Sequence, residues 1–272
     1  MAITATEPES SPSVRHGTFS RLWEYRDLVK NLVAKDIKVR YMGAALGFAW
    51  SLGNPLILFA TYFLVFTYIF PSKTPHYALY LITGILHWNL FAMNTAQASE
   101  MLVSNASLMK KLAFPRVLIP LANLLVNVVL WLAAMCIYGL LYPWLGGPWS
   151  WALLAYPAYM ILYLAFLFGL SLTLAVLYVD FRDLKHIVEV MLMVLFWASP
   201  VVYPLKLVPA QFRTFYLLNP LTQAVVCFDK LLYSGQMPNL KVTACFALWA
   251  VAALGLGLYL LHRRGPRLIE RL

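Results

Sequence analysis

Long apolar runs broken by short charged clusters set the pattern of this chain. No formally charged residue falls between Arg40 and Lys73, and none between Val117 and Val179. The second interval is too long for a single crossing of about 20 residues. It divides at "YPWLGGPWSW" (142–151), a Gly/Pro turn flanked by tryptophans of the kind found at a membrane surface. The runs predict six membrane-spanning helices, at approximately 44–70, 77–102, 117–142, 151–179, 187–203 and 242–261. The fold class expected is an all-α integral membrane protein.

Three further segments break the simple alternation. In 18–40, "TFSRLWEYRDLVKNLVAKDIKVR", Leu22, Tyr25, Leu28, Val29, Leu32 and Val33 make one helical stripe, and Glu24, Asp27, Lys30, Asn31, Lys35 and Lys38 lie opposite. That pattern predicts an amphipathic helix in the membrane interface, its basic residues near anionic headgroups. Residues 199–238 are too apolar for a solvated loop and too rich in proline for a span. Asn219-Pro220 divides them into two short pieces, which predicts a re-entrant helical pair within 204–238. The loop after the second span, 104–117, reads "SNASLMKKLAFPRV". Ser107 to Leu112 suit a helix of about one and a half turns that Phe114-Pro115 stops, leaving an apolar knob among basic residues.

Composition sharpens the class. Of 272 residues 62% are apolar and 12% charged, about half the charged fraction of a soluble domain. Residues 18–272 read as one membrane domain, and 1–17 as a polar, disordered tail without the character of a signal peptide. With an inward-facing N-terminus, sixteen Lys/Arg fall on the inner segments and five on the outer ones, which orients both termini to the cytoplasm. Cys136, Cys227 and Cys245 have no metal-ligand or redox spacing and read as buried small apolar residues.

The chemistry that is missing narrows the function. The sequence has no GxxxxGK[ST] phosphate loop, no HExxH and no GxSxG. Glu100, Asp180 and Glu189 stand at span ends, and His87 is the one titratable residue well inside a span; a packing role suits it better than a proton relay. Ion coupling needs charged groups near the midplane. The energy for uphill transport is therefore expected from another chain. An intramembrane enzyme acting on polyprenyl-linked sugar would have to use Asp180, Asp183 and Glu189, which are better explained by capping and salt bridges around a tight turn.

The stretches "DIKVRYMGAALGFAWSLGNPL", "NASLMKKLAFPRVLIP", "YVDFRDLKHIVEVMLMVLFWASPVVYPLKLVP" and "LLNPLT" resemble the permease subunit of polysaccharide-export ABC transporters, which carry O-antigen, teichoic acid or capsule. The resemblance covers the chain after residue 18. It implies a homodimer in the bacterial cytoplasmic membrane with two copies of a separate ABC ATPase, which would hold the ATP and Mg. No cofactor is expected on this chain and no nucleic acid as partner. The loop after the second span would be the ATPase-coupling helix, with Asn105, Ser107, Leu108, Lys110, Lys111, Phe114, Pro115 and Arg116 as its residues. Arg182 and Asp183 of "FRDLKH" would brace it. The interfacial helix, with Trp23, Tyr25, Lys30, Lys35, Lys38 and Arg40, would admit undecaprenyl-linked glycan, and the re-entrant pair would form a periplasmic gate. A pathway between the first and fifth spans would be lined by aromatic residues that let a sugar chain slide: Trp50, Phe59, Tyr62 and Phe66 on the first, Phe196, Trp197 and Tyr203 on the fifth. "GAALG" (43–47) has the small-xxx-small spacing of closely packed helices, and Asn54-Pro55 is expected to kink the first span. The other reading is a same-fold permease exporting a drug, a lipid or heme.

Overall fold

The computed structural model describes residues 25–42, 49–69, 71, 73–111 and 114–271; for Tyr41, 49–52, 54–55 and 266–271 it describes the backbone alone. Every regular element among them is helical. Helix α1 is Arg26–Tyr41, and α2 is Ala49–Leu64, which continues as a π turn over Val65–Ile69. Helix α3 is Tyr77–Ala98. Two short helices follow, α4 (Met101–Ser104) and α5 (Ala106–Lys111). The long helices α6 (Leu118–Leu141) and α7 (Tyr156–Asp180) flank the tryptophan turn, and α8 is Leu184–Trp197. Then come α9 (Ala210–Leu218), α10 (Pro220–Phe228) and α11 (Leu240–Arg271).

Three stretches are long and apolar enough to cross a bilayer: Leu118–Leu141, Trp151–Asp180 and Leu240–Gly265. The other expected spans are represented by less complete helices. The apolar part of α2 is the shorter Leu56–Ile69. Helix α3 has the length, but it carries His87, Asn89, Asn94 and Gln97. The fifth differs most from expectation: α8 has 14 residues, about 21 Å against a hydrocarbon core of about 30 Å. It stops at Trp197 because Pro200 follows and the 199–204 loop turns back onto α3. The sixth is longer than expected, running as helix through the basic tail to Arg271.

Helix α3 is the centre of the bundle, contacted by α2, α6, α7, α8 and α10. Several of its buried polar groups are bonded inside the bundle, although Asn89 Nδ2 and Thr95 Oγ1 are buried without a partner. Thr83 Oγ1 donates to Leu79 O at 2.8 Å and lies 2.9 Å from Tyr138 Oη. His87 Nδ1 is 2.7 Å from Thr83 O and Nε2 is 2.8 Å from Tyr156 Oη, while its ring stacks on Phe228 at 3.9 Å. His87 is thus a packed, hydrogen-bonded residue, with both ring nitrogens taken.

Helices α7 and α11 meet backbone to backbone. A Cβ on Gly169 would stand 2.3 Å from Ala253 C, and one on Gly257 would stand 2.5 Å from Gly169 O. Small residues permit this approach where lipid offers no hydrophobic drive to associate. The close contact lies at Ala253 and Gly257; "GAALG" falls outside the described residues.

Opposite the basic helices, the irregular backbone is paid out to tyrosines. Tyr77 Oη donates to Val202 O (2.7 Å), and Tyr80 Oη bonds to Pro200 O (2.5 Å) and Tyr203 O (2.8 Å). Carbonyls left by a broken helix need such partners inside a membrane protein. Asn219 caps α10 by accepting from Leu221 N (2.9 Å) and ties it to Ser199 Oγ (3.1 Å), with Pro220 at the first helical position. The predicted break at Asn219-Pro220 therefore separates two nine-residue helices. Of the cysteines only Cys227 is buried; Cys136 and Cys245 face outward on α6 and α11, since a helix all of whose faces are apolar need not bury any particular one.

Candidate transport and coupling sites

Phe59, Tyr62 and Phe66 all lie on α2 or its π turn, but they do not act as one stripe. Tyr62 meets Phe196 at 5.5 Å and Trp197 at 6.4 Å between ring centroids. Phe59 stacks on Phe63, and Phe66 meets Tyr77 with the rings tilted by 53°. The groove between α2, α3 and α8, about 340 Å³ in volume, is lined by Tyr62, Trp88, Phe196 and Trp197 with apolar neighbours. Trp88, which contacts Phe196 at 5.1 Å, is a member the sequence reading missed. It sits one residue after His87, in a stretch whose sequence marks only the second span. Tyr203 lies apart from the groove: its hydroxyl donates to Trp197 O and lies 3.2 Å from Tyr216 Oη. The side chain of Trp50 lies outside the described residues.

This groove has no charge in it; Tyr62 and Phe196 are half-buried, Trp88 is buried and Trp197 is 52% exposed. Such a surface suits apolar ring faces of a sugar or a hydrocarbon and supplies no catalytic group. Asp180, Asp183 and Glu189 do not converge: Asp180 pairs with Arg264 (2.8 Å), Glu189 with His186 (3.4 Å), and Asp183 is exposed.

At the basic end the expected loop helix is α5, Ala106–Lys111; Leu112 and Ala113 lie outside the described residues. Asn105 closes α4, its Nδ2 donating to Met101 O at 2.9 Å, while its carbonyl accepts from Leu108 and Met109 N at 3.1 Å to start α5. Ser107, Lys110 and Lys111 are exposed and Leu108 half-buried. Phe114 is less free than a knob would be. It packs on a small cluster of Met101, Leu102, Met109, Ile119, Ala175 and Val176, which α11 closes with Leu260 and Leu261. Pro115 O accepts from Leu118 N (3.0 Å) and so opens α6. Arg116 is half-buried and turned towards α11.

The brace between this end and "FRDLKH" is different from the one anticipated. Lys185 Nζ bonds Glu100 Oε1 at 2.8 Å, and that hydrogen bond and charge hold the ammonium above its ordinary pKa. Arg182 lies over the Tyr178 ring at 5.3 Å. The signal was present in the sequence, as an acid at the end of the second span and a lysine in the motif.

Helix α1 is attached to the same region. Its Leu32 is buried, and Lys30 and Lys38 are exposed. Lys35 Nζ donates to Asn105 Oδ1 at 3.2 Å. Arg40 reaches inward, to Gln97 Oε1 (2.8 Å) and Asn127 Oδ1 (3.2 Å), and Asn127 Nδ2 also donates to Gln97 Oε1 (3.1 Å). These three polar residues close the seam between α1, α3 and α6. Tyr25 immediately precedes α1, and Trp23 lies outside the described residues.

Long apolar helices, polar side chains paired inside the bundle and short basic helices at one end define a multi-pass helical membrane protein. The chain belongs to the ABC-2 type transporter family, which it matches over residues 27–233. It is 30% identical over 245 residues to the O-antigen export system permease protein RfbA of Myxococcus xanthus, covering 86% of this chain and 93% of the relative. It is 31% identical over 216 residues to the RfbA permease of Klebsiella pneumoniae, covering 77% and 81%. The polysialic acid transport protein KpsM of Escherichia coli is 20% identical over 249 residues, covering 87% and 93%.

Proposed function

We propose that this chain is the membrane-spanning subunit of an ATP-driven exporter that moves lipid-linked polysaccharide across the bacterial cytoplasmic membrane. The observation that carries the reading is the similarity, along most of the chain, to permeases named for O-antigen export. On this reading the chain crosses the membrane six times, with both termini in the cytoplasm and α9–α10 as a re-entrant pair at the outer face. It works as a homodimer with two copies of an ABC ATPase. ATP and Mg are bound there and not on this chain.

Each part of the structure has a place in that assembly. Residues Asn105 to Arg116 meet the ATPase, and the Glu100–Lys185 pair carries the push across to the turn holding Arg182 and Asp183. Helix α1, through Lys30, Lys35, Lys38 and Arg40, receives the undecaprenyl-linked glycan. The aromatic groove of Tyr62, Phe196 and Trp197, joined by Trp88, lines the path where two protomers face each other. Rings there give apolar contact without fixed hydrogen bonds, so a polymer slides through without a deep trap at any one register.

The test is depletion of the protein, followed by measurement of surface glycan and of lipid-linked glycan inside the cell. Loss at the surface with accumulation inside is expected, and the accumulated sugar names the cargo. An unchanged profile in both places would refute the proposal and favour a same-fold permease for a drug, a lipid or heme.

A further inference from the structure

Where α6 begins, α11 passes beside it on the way out of its apolar stretch. The groove between them, about 420 Å³, is lined by Arg116 and Val117 on one side and by Leu258, Leu261, His262 and Gly265 on the other. Arg116 lies close against α11, its Nη1 3.0 Å from where a Cβ on Gly265 would stand. A side chain at 265 would crowd the guanidinium, and glycine leaves room for it.

Arg116 is a half-buried residue, yet its guanidinium makes neither a hydrogen bond nor an ion pair with any described residue. Among the described residues, two acids of this end are committed elsewhere: Asp180 to Arg264 and Glu100 to Lys185, each at 2.8 Å. Arg263, next to the groove, donates to Tyr259 Oη at 3.0 Å and carries no acid. Five fixed donors partly out of water without an acceptor are unfavourable. Their planar fork matches two oxygens of a phosphate or a carboxylate.

The rest of the lining separates those two. Leu258 is one helical turn deeper than His262 and Leu261 lies between them, so the groove is apolar towards the membrane and cationic at its rim. We propose that it holds an anionic phospholipid, whose phosphodiester oxygens accept from Arg116 with His262 beside them. The first methylenes of an acyl chain lie along Leu258 and Leu261. An acidic protein segment would answer the charge but leave the apolar half uncovered. The proposal requires only that the groove lie at a bilayer surface, whatever the cargo, and it ends the proposed ATPase contact at Pro115, giving Arg116 to the lipid.

The test uses the full-length chain, exposed to equal amounts of phosphatidylglycerol and phosphatidylcholine in mild detergent, with retained lipid counted by native mass spectrometry. The wild type is expected to prefer phosphatidylglycerol, and Arg116→Gln to retain about tenfold less of it, the loss appropriate to a bidentate charged contact. Arg116→Lys should fall between the two, and Lys241→Gln, at the opposite end of α11, should match the wild type. Equal retention of phosphatidylglycerol by the wild type and Arg116→Gln would overturn the proposal, as would a wild type indifferent to headgroup charge. A photo-crosslinker at position 262 in the assembled transporter provides a readout that leaves Arg116 intact. Labelling of phospholipid supports the site, and labelling of the ATPase subunit assigns the groove to a protein and overturns it.

Discussion

Helices α7 and α8 are consecutive and both strongly apolar, yet they are used in opposite ways. Along α7 buried positions recur from Tyr159 to Val179, and Gly169 touches the backbone of α11. Along α8 only Val188 is buried, while Ile187, Val190, Met191, Met193, Val194 and Trp197 are all exposed. Hydropathy does not separate the two, because lipid and protein interior are equally apolar. What separates them is small residues and paired polar groups. Helix α7 has Gly169, Ser171 and the tyrosine hydroxyls, and α8 has none of these on its bare side. Helix α2 matches α8, with Leu56, Ile57, Leu64 and Tyr68 exposed. The fixed half is thus the packed seam of α3, α6 and α7 with the small-residue side of α11, whose outer side is bare at Leu248 and Val251, while α2 and α8 present an open apolar face, the one proposed above to meet a second protomer.

The largest expected effect tests the fixed half. Gly169→Ala puts a methyl into the backbone of α11 and should cost about 1–3 kcal/mol as overpacking, while Gly255→Ala, with nothing within 4 Å of its new carbon, should be neutral or gain up to about 1 kcal/mol. Thermal melts of the two purified variants decide it; equal melting would mean that α7 and α11 are not in backbone contact. The open face is tested by cross-linking, with Cys136 and Cys245 first replaced by alanine. Oxidation should join two chains through Val194→Cys on α8 and leave Ile161→Cys, equally exposed on α7, monomeric on a non-reducing gel. Cross-linking from both positions would dissolve the contrast between the two helices.

The smallest effect concerns Asp229, the acid at the end of α10. Its Oδ1 is buried without a hydrogen-bond partner, and burial pushes the carboxyl well above the usual range, with Tyr80 and Lys230 offsetting only part of the shift. The folded protein then holds a proton that the unfolded chain releases, so stability falls as pH rises from the ordinary carboxylate value to the raised one. Asp229→Asn should leave stability at acidic pH within about 1 kcal/mol of wild type, because the two side chains have nearly the same shape, and should flatten the decline at higher pH. A pH profile unchanged by the substitution would mean that Asp229 is ionised.

Much of this was legible in the sequence. The charge-free intervals mark the long helices, "YPWLGGPWSW" marks their turn, and Asn219-Pro220 marks the break between α9 and α10. Those are local signals, carried by residues whose backbone preferences are strong. The aromatic groove was half legible: of the aromatic residues singled out on the first and fifth spans, Tyr62, Phe196 and Trp197 meet within one chain, while Phe59, Phe66 and Tyr203 turn to other partners. Helical spacing places side chains on a face but does not say which neighbour will stand there. The inner brace was misassigned for the same reason, since Glu100 and Lys185 are 85 residues apart and their pairing depends on the bundle. The polar seam of Arg40, Gln97 and Asn127 was hidden because two of its members are uncharged and do not interrupt an apolar run.

The bond between Lys35 and Asn105 has a consequence for timing. It joins the helix proposed to receive cargo to the residue that begins the helix proposed to receive the push, at 3.2 Å and in an exposed position. A contact of this kind is worth at most about 1 kcal/mol, so it biases a population about fivefold and cannot clamp it. It can be broken by thermal motion and remade between strokes. Under the proposed roles, loading and firing would be linked as two steps of one clock are linked, by a weak escapement that lets each advance only slightly ahead of the other.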